Sequence, residues 1–418
     1  MVNLSQNKNV KLNNVCLYLL VIATTVGPVI YLGVAALYHF VIAGLLLMVL
    51  YKGTNTGNYK TSIMTFLLLW LFEAAISFLW APDKIIVLKY VYYIFQINTT
   101  CILFHYFLSR ENIETFSQFM VLVLLACNLI AFWEVKTGNH LLTNYLSTPL
   151  RMRVLKYVPC AFFLNPNGLA TFIVQLIPFS FWSMSSSKKW VRIISSVNVV
   201  VSFFSICAAQ SRTQIILCLV MCAVFVLLFY KKYLLKYGLF VFAIAILLYL
   251  IIPDFNILID SALKSVTGES IASSLNDEGG SLNTRVNLLK NAGYILFDTV
   301  GFGIGAGCHR AVMADYSVMY YDTHNIIVMH NLLGELFVDY GIIIGVAFMY
   351  TVVKSCSSLF KISKLHDDKK IRMMAIMLAF SLFVMIIYGM SSSSLIQTIS
   401  MWFTFCFTSA FINLYQTK

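Results

Sequence analysis

The chain has 418 residues, 60% hydrophobic and only 11% charged, with a net charge of +12 and a mean hydropathy of +0.83. Soluble domains carry about 25% charged residues, so a water-soluble globular protein is excluded. The apolar residues run continuously rather than alternating, which excludes a β-barrel and leaves a helical membrane bundle.

A helix needs about 20 apolar residues to cross the hydrocarbon, and on that measure about twelve spans are expected. They fall near 15–32, 33–51, 61–80, 85–108, 115–133, 168–184, 191–209, 213–230, 236–253, 330–353, 371–391 and 395–415. Lys8 and Lys11 precede the first apolar run as in a secretory signal. A second span follows directly without a small-residue cleavage site, so this segment is read as a retained helix. Lys52/Lys60, Lys188/Lys189/Arg192, Lys231/Lys232/Lys236 and the run from Lys354 to Arg372 occupy every second connection. That is the positive-inside pattern. It puts both termini in the cytoplasm, turns loops 134–167 and 254–329 outward, and accounts for the net charge without nucleic acid as a partner. The expected architecture is an all-α integral membrane protein, one polytopic domain over 1–418. One long extracytoplasmic loop folds over an outward-facing cavity.

The stretch 191–230 is about twice the length of one span and must fold back. Its one polar break is Gln210-Ser211-Arg212-Thr213-Gln214, which places Arg212 at a helix head. An arginine at the bilayer centre costs up to about 3 kcal/mol and tends to mark function. An interfacial arginine also snorkels to lipid headgroups.

Loop 254–329 is far longer than a bilayer crossing requires, and loops of that length are functional or disordered. A Ser/Asn/Gly-rich tract, Ser273 to Asn283, leads into helical spacing from Thr284-Arg285 to Leu296, with Ser281 or Asn283 as the cap. This short amphipathic helix is expected at the membrane surface or across the bundle mouth. Gly301, Gly303, Gly305 and Gly307 then alternate. Without a following Lys-Ser/Thr they predict a tight turn rather than a nucleotide cradle. His309, Asp315, Asp322, His324 and His330 lack metal-ligand spacing and are expected as polar loop residues, so no metal is assigned. The ten cysteines are scattered without a C-x-x-C pair, which predicts packing rather than chemistry. Cys160 and Cys308 both lie outside the spans, and spacing alone does not pair them.

In the tenth span Asn331, Glu335 and Asp339 recur every four residues and share a face. His330, Gly334, Gly341 and Gly345 fall on a neighbouring stripe, where glycines would admit another helix. The acids need partners near the hydrocarbon, for which Arg212 or Arg285 offer themselves. An arginine fork matches two phosphate oxygens. A histidine titrates near neutrality and takes a proton from a hydroxyl. Together these residues suit a lipid diphosphate leaving group on the outer surface, where the donor must already have crossed the membrane. A transporter would more often show internal repeats and helices broken at the midplane. No repeat is present, and the polar residues crowd the outer end.

His330-Asn331 followed by Asp339-Tyr340-Gly341 and Gly345 resembles the histidine–asparagine motif of the bacterial O-antigen ligase and polymerase superfamily. Ala209-Gln210-Ser211-Arg212-Thr213, Thr284-Arg285, the glycine repeat and Asn165-Pro166-Asn167-Gly168 share that likeness, which covers roughly residues 130–345. The resemblance implies inverting glycosyl transfer from an undecaprenyl-diphosphate-linked glycan, without metal or cofactor. It implies that Arg212 and Arg285 bind the donor diphosphate. His330 would orient or deprotonate the acceptor hydroxyl, with Asn331 beside it. Asp339 stands where the family often has an acid; Glu335 has no fixed place in the pattern, and both are carried as substrate-facing. A second pair, His324-Asn325, lies six residues upstream, but only the register from His330 brings a glycine to 341.

Trp133-Glu134-Val-Lys136-Thr137-Gly138-Asn-His140-Leu141 resembles a segment of surface-polysaccharide polymerases. Arg151, Arg153 and Lys156 follow in the same loop, suited to a second lipid-linked substrate or equally to lipid phosphates. The resemblance therefore implies a polymerase of O-antigen or capsular-type repeat units at the outer side of the bacterial cytoplasmic membrane. Its partners would be lipid-linked glycans, membrane lipids and a chain-length regulator. The alternatives are a ligase acting on lipid A-core or another acceptor, and a polysaccharide flippase.

Overall fold

The structure, a computed structural model, describes the chain apart from residues 1, 27–29, 33–34, 54–59, 142–154, 231–280, 316–318, 391–394 and 417–418. It is an all-α integral membrane protein. The chain divides into two compact units, one made of Met1–Met120 with Ser281–Lys418, the other of Val121–Gly280.

The first unit opens with α1 (Val2–Val26), a hairpin of two-residue strands pairing Tyr31 with Ala36 and Leu32 with Ala35, and α2 (Leu37–Lys52). Helix α1 runs to Val26, and residues 27–29 and 33–34 around the expected end at 32 lie outside the described residues. Next come α3 (Ser62–Ile76), tightening into a 3₁₀ turn over Ser77–Leu79, α4 (Lys84–Phe107) and the start of α5 (Ile113–Thr137). After the second unit the chain returns as α9 (Ser281–Asp298), the short α10 (His309–Met313), α11 (Leu332–Leu365), α12 (Lys369–Gly389) and α13 (Phe403–Tyr415). Helices α3, α4 and α12 start at side-chain caps. Thr61 accepts from the Met64 N–H, Asp83 from Ile85 and Ile86, and Asp368 from Lys370. An aromatic core holds α3, α11 and α13 together, with Trp70 against Tyr340 and Trp402 and with Phe66 against Phe348 and Phe405. Aromatic pairs of this kind add about 0.5–1.5 kcal/mol each beyond burial.

The second unit contains the rest of α5, then α6 (Pro166–Ser183), α7 (Lys189–Ala208) and α8 (Arg212–Phe229). The run 191–230 does fold back at its polar break: α7 stops at Ala208, Gln210 turns left-handed at φ 55°, and α8 begins at Arg212. Buried amides tie α5 to α7, the Asn128 Nδ2 donating to Asn198 Oδ1 at 2.8 Å and to Ser202 Oγ at 2.9 Å. The rings of Phe181 and Phe225 stack 4.0 Å apart between α6 and α8.

Eight helices among the described residues are long and apolar enough to cross a membrane. Of the expected set, α2 and the final apolar stretch, Ile399–Tyr415, are shorter than a full span. Helix α6 is buried inside protein throughout Gly168–Ser183. The expected span at 236–253 lies outside the described residues, as does the part of the long loop up to 280.

Candidate functional site

The helix expected from Thr284 runs over Ser281–Asp298 as α9. Its apolar face, Leu288, Ala292 and Ile295, closes a small core with Met313, Met329 and Val338. Its polar face grips the loop before His324. The Asn291 side chain donates to Tyr321 O and accepts from Tyr321 N–H, and Asn287 donates to Asp322 O at 2.8 Å. Arg285 is half-buried near the head of α9, with no carboxylate within 4.0 Å among the described residues.

Glycines 301, 303, 305 and 307 all sit at positive φ, forming a strap rather than a nucleotide cradle. The strap crosses α11 where that helix breaks, at Gly341, whose φ of 82° and ψ of 179° are non-helical. A Cβ on Gly303 would strike the backbone of Asp339 and Gly341, and one on Gly341 would strike Gly301 and Phe302. Two backbones therefore meet directly. The hydrogen-bonding groups that a helix break exposes need partners. The strap supplies them: Ile304 N–H donates to Val338 O at 2.8 Å, Gly305 N–H to Asp339 O at 3.0 Å, and Ile342 N–H to Gly301 O at 2.9 Å. Gly341 was expected to admit a neighbouring helix; it admits this strap instead. Gly345 makes room for the ring of Phe337 from its own helix. The far side of the strap is held by Trp80 Nε1 donating to Gly303 O and by Ala306 N–H donating to Ser77 Oγ.

The strap delivers His309 to Asp339. The His309 N–H donates to Asp339 Oδ1 at 2.9 Å and its Nδ1 lies 2.8 Å from Oδ2, both side chains fully buried. Burial alone would lower the His309 pKa. The Asp339 charge and hydrogen bond, with the Glu335 charge, override it and raise the value. Asp339 is thus committed to a histidine, not to Arg212 or Arg285 as expected. Glu335 is buried on the same helix, and its charge bears on His309. Asn331 is the N-cap of α11, its Oδ1 accepting from Gly334 N–H at 3.0 Å.

His330, immediately before that cap, is held left-handed at φ 49°. Such a conformation costs of order 1–3 kcal/mol in a residue with a Cβ, and clusters at functional sites. The side chain is half-buried, and its Nδ1 finds no hydrogen-bond partner among the described residues. Burial, then the charges of Arg285 and Arg310, pull its pKa down to about 4. His330 is therefore a neutral imidazole flanked by two cations. Arg310 escaped the sequence reading, because its proximity depends on the strap. The rival His324 is left-handed too, at φ 53°, and differs in being 42% exposed and 3.8 Å from Asp322. No cluster of three metal-binding side chains occurs among the described residues.

In the second unit Arg212 is the first residue of α8, exposed and without a carboxylate within 4.0 Å among the described residues. Cations are disfavoured at a helix N-terminus, where the dipole is positive. A cation kept there with free N–H groups suits an anion. Asn165 caps α6 by accepting from Gly168 N–H at 2.7 Å, and Asn167 Oδ1 lies 2.7 Å from Ser211 Oγ. Ser211 also meets Gln214, whose Nε2 donates to Thr171 Oγ1. The Asn-Pro-Asn element and the Arg212 element are thus one hydrogen-bonded assembly. The polymerase-like segment turns out to brace its loop. Glu134 accepts from Cys160 N–H at 2.6 Å and Ala161 N–H at 2.8 Å, and His140 Nδ1 lies 3.4 Å from Glu134. Arg151 and Arg153 lie outside the described residues.

Residues 197–349 match the family model described as O-antigen ligase. The chain is also similar to the teichuronic acid biosynthesis protein TuaE of Bacillus subtilis (strain 168), at 25% identity over 324 residues. That likeness covers 75% of this chain and 64% of the relative.

Proposed function

We propose that this chain, which is similar to the O-antigen ligase/polymerase superfamily over residues 197–349, polymerises undecaprenyl-diphosphate-linked repeat units outside the cytosol. A role in polysaccharide biosynthesis, of the glycosyl-transfer kind, is supported by the match to the family model and by the similarity to the relative. The polymerase reaction, the lipid-linked donor and the outward orientation of the site are our reading. The observation that supports it best is His330 held neutral beside Arg285 and Arg310.

In this reading Arg285 takes the donor diphosphate, with Arg310 as a further cation. The acceptor hydroxyl donates its hydrogen bond to a ring nitrogen of His330. Its oxygen attacks the anomeric carbon from the face opposite the diphosphate. The bond from that carbon to the diphosphate oxygen breaks, the electron pair leaves on the diphosphate, and the hydroxyl proton passes to His330. Positioned donors facing such a developing charge are worth about 3–4 kcal/mol each. The bound diphosphate also offsets the charges that depress His330, so donor binding makes it a better base. Asn331 and the His309–Asp339 pair act by holding His330 and Arg310 in place.

A gel of surface glycan from a host lacking the gene, complemented with wild type or His330→Ala, tests this reading. A ladder collapsed to single repeats with His330→Ala supports polymerisation. Long chains stranded on the lipid carrier would instead establish ligation, and an unchanged ladder would return the flippase reading.

A further inference from the structure

A groove lies at the end of α11 away from His330. Along that helix Lys354 stands 22 residues beyond Leu332, about 30 Å of helix from the His330 end. Helices α3 and α11 pack antiparallel there, as three cross-pairs show. Ser62 Oγ meets Ser355 Oγ at 3.0 Å, the Phe66 and Phe348 rings lie 5.5 Å apart, and those of Trp70 and Tyr340 5.6 Å. Between the two helices and the end of α13 is a groove of about 520 Å³. That volume is within the range of about 300–1,000 Å³ typical of ligand sites.

The lining is graded along the groove. Lys60, Ser62, Lys354, Ser358 and Gln416 surround one end. Phe66, Leu69 and Ala347 form the other. Because the helices are antiparallel, both lysines fall at the same end and both apolar segments at the opposite one. No acidic residue lines the groove, and neither lysine has a carboxylate within 4.0 Å among the described residues. Lys354 is instead laid over the Tyr350 ring, 5.3 Å from its centroid. The hydroxyls behind the groove are satisfied within the protein, Thr61 Oγ1 by Ser409 Oγ at 2.6 Å and Ser62 by Ser355. The walls are therefore fixed by packing, and the lysines remain the groups available to a ligand.

We propose that this groove binds an anionic glycerophospholipid. The phosphodiester sits between Lys60 and Lys354, and an acyl chain runs down the Phe66–Leu69–Ala347 side. A basic pocket between membrane helices on the cytoplasmic side is suited to acidic headgroups. The basic connections holding both lysines fall on that side by the charge pattern. A free phosphate would use the lysines alone, whereas a lipid needs the apolar end as well. The proposal is independent of glycosyl transfer.

The test uses the purified full chain in detergent, with bound lipid counted by native mass spectrometry. Phosphatidylglycerol, phosphatidylcholine and inorganic phosphate are offered in turn. We expect wild type to hold phosphatidylglycerol at least tenfold more tightly than phosphatidylcholine. The double variant Lys60→Gln/Lys354→Gln should lose that preference, whereas Lys361→Gln/Lys364→Gln, outside the groove, should keep it. Ala347→Phe, which fills the apolar end, should weaken the lipid while leaving the lysines intact. Equal binding of the two lipids by wild type overturns the proposal, as does an unaltered preference in the Lys60/Lys354 variant. Displacement of the lipid by equimolar inorganic phosphate, or indifference to Ala347→Phe, would assign the groove to free phosphate.

Discussion

His330 carries the sharpest chemical expectation at the level of single residues. Its pKa, pushed to about 4 by burial and by the Arg285 and Arg310 charges, leaves it neutral at physiological pH. Removing one like charge favours the protonated form, so Arg285→Gln should move the His330 pKa upward. The acid limb of the kcat/KM pH profile, which reports the free enzyme, should shift to higher pH with it. A limb that stays put would separate the two residues functionally. His330→Ala should lower the transfer rate by about 10²–10⁴ while the protein still inserts and folds. Asp339→Asn acts differently, because it strips a buried histidine of its counter-charge. Breaking a buried pair from one side costs about 3–5 kcal/mol, to be read from thermal unfolding in detergent. The folded His309 pKa is raised, so the pair's contribution is complete below the unfolded value of about 6.5 and fades as pH rises through the folded value. Asp339→Asn should abolish that slope. His330 was legible in the sequence through its register with Gly341. His309 and Arg310 were not, since only the folded strap brings them to α11.

Among the elements, the strap and the broken helix depend on each other. Gly303 and Gly341 have positive φ and meet backbone to backbone, so a side chain at either fails on conformation and on space together. Gly303→Ala and Gly341→Ala should each destabilise the protein by several kcal/mol, because a mobile side chain cannot yield where backbone is the obstacle. Gly293, on the exposed run of α9 with open space around its Cβ position, is the control, and Gly293→Ala should be neutral or mildly stabilising. Melting temperatures of the three variants decide the matter. Helix periodicity predicted α11 as one unbroken span with a face for another helix. The 3.6-residue repeat continues on both sides of Gly341, so the pattern has no sign of the break. The alternating glycines upstream were the signal, and they announced a turn without saying what it would turn against. A helix broken at mid-membrane is also a mark of transporters. Here the freed groups are taken by the strap's own backbone, which makes the break a docking point.

For the molecule as a whole, composition sufficed for an all-α membrane protein, and the hydrophobic runs located most helices to within a few residues. Length and continuity did not separate a span from a helix buried in protein. Helix α6 is buried throughout Gly168–Ser183, and apolar surroundings of lipid or of protein favour the same run of apolar residues. The charge pattern assigned sides, and with them the expectation that Arg285 and His330 face outward. The reaction itself is tested by reconstitution. Purified protein in liposomes is given a single substrate, the undecaprenyl-diphosphate-linked repeat unit, and the products are sized. The account predicts a ladder of lipid-linked oligomers from that substrate alone, lost with Arg285→Gln and with His330→Ala. Wild-type protein that forms no oligomer, yet transfers the glycan once a separate acceptor is supplied, would contradict it.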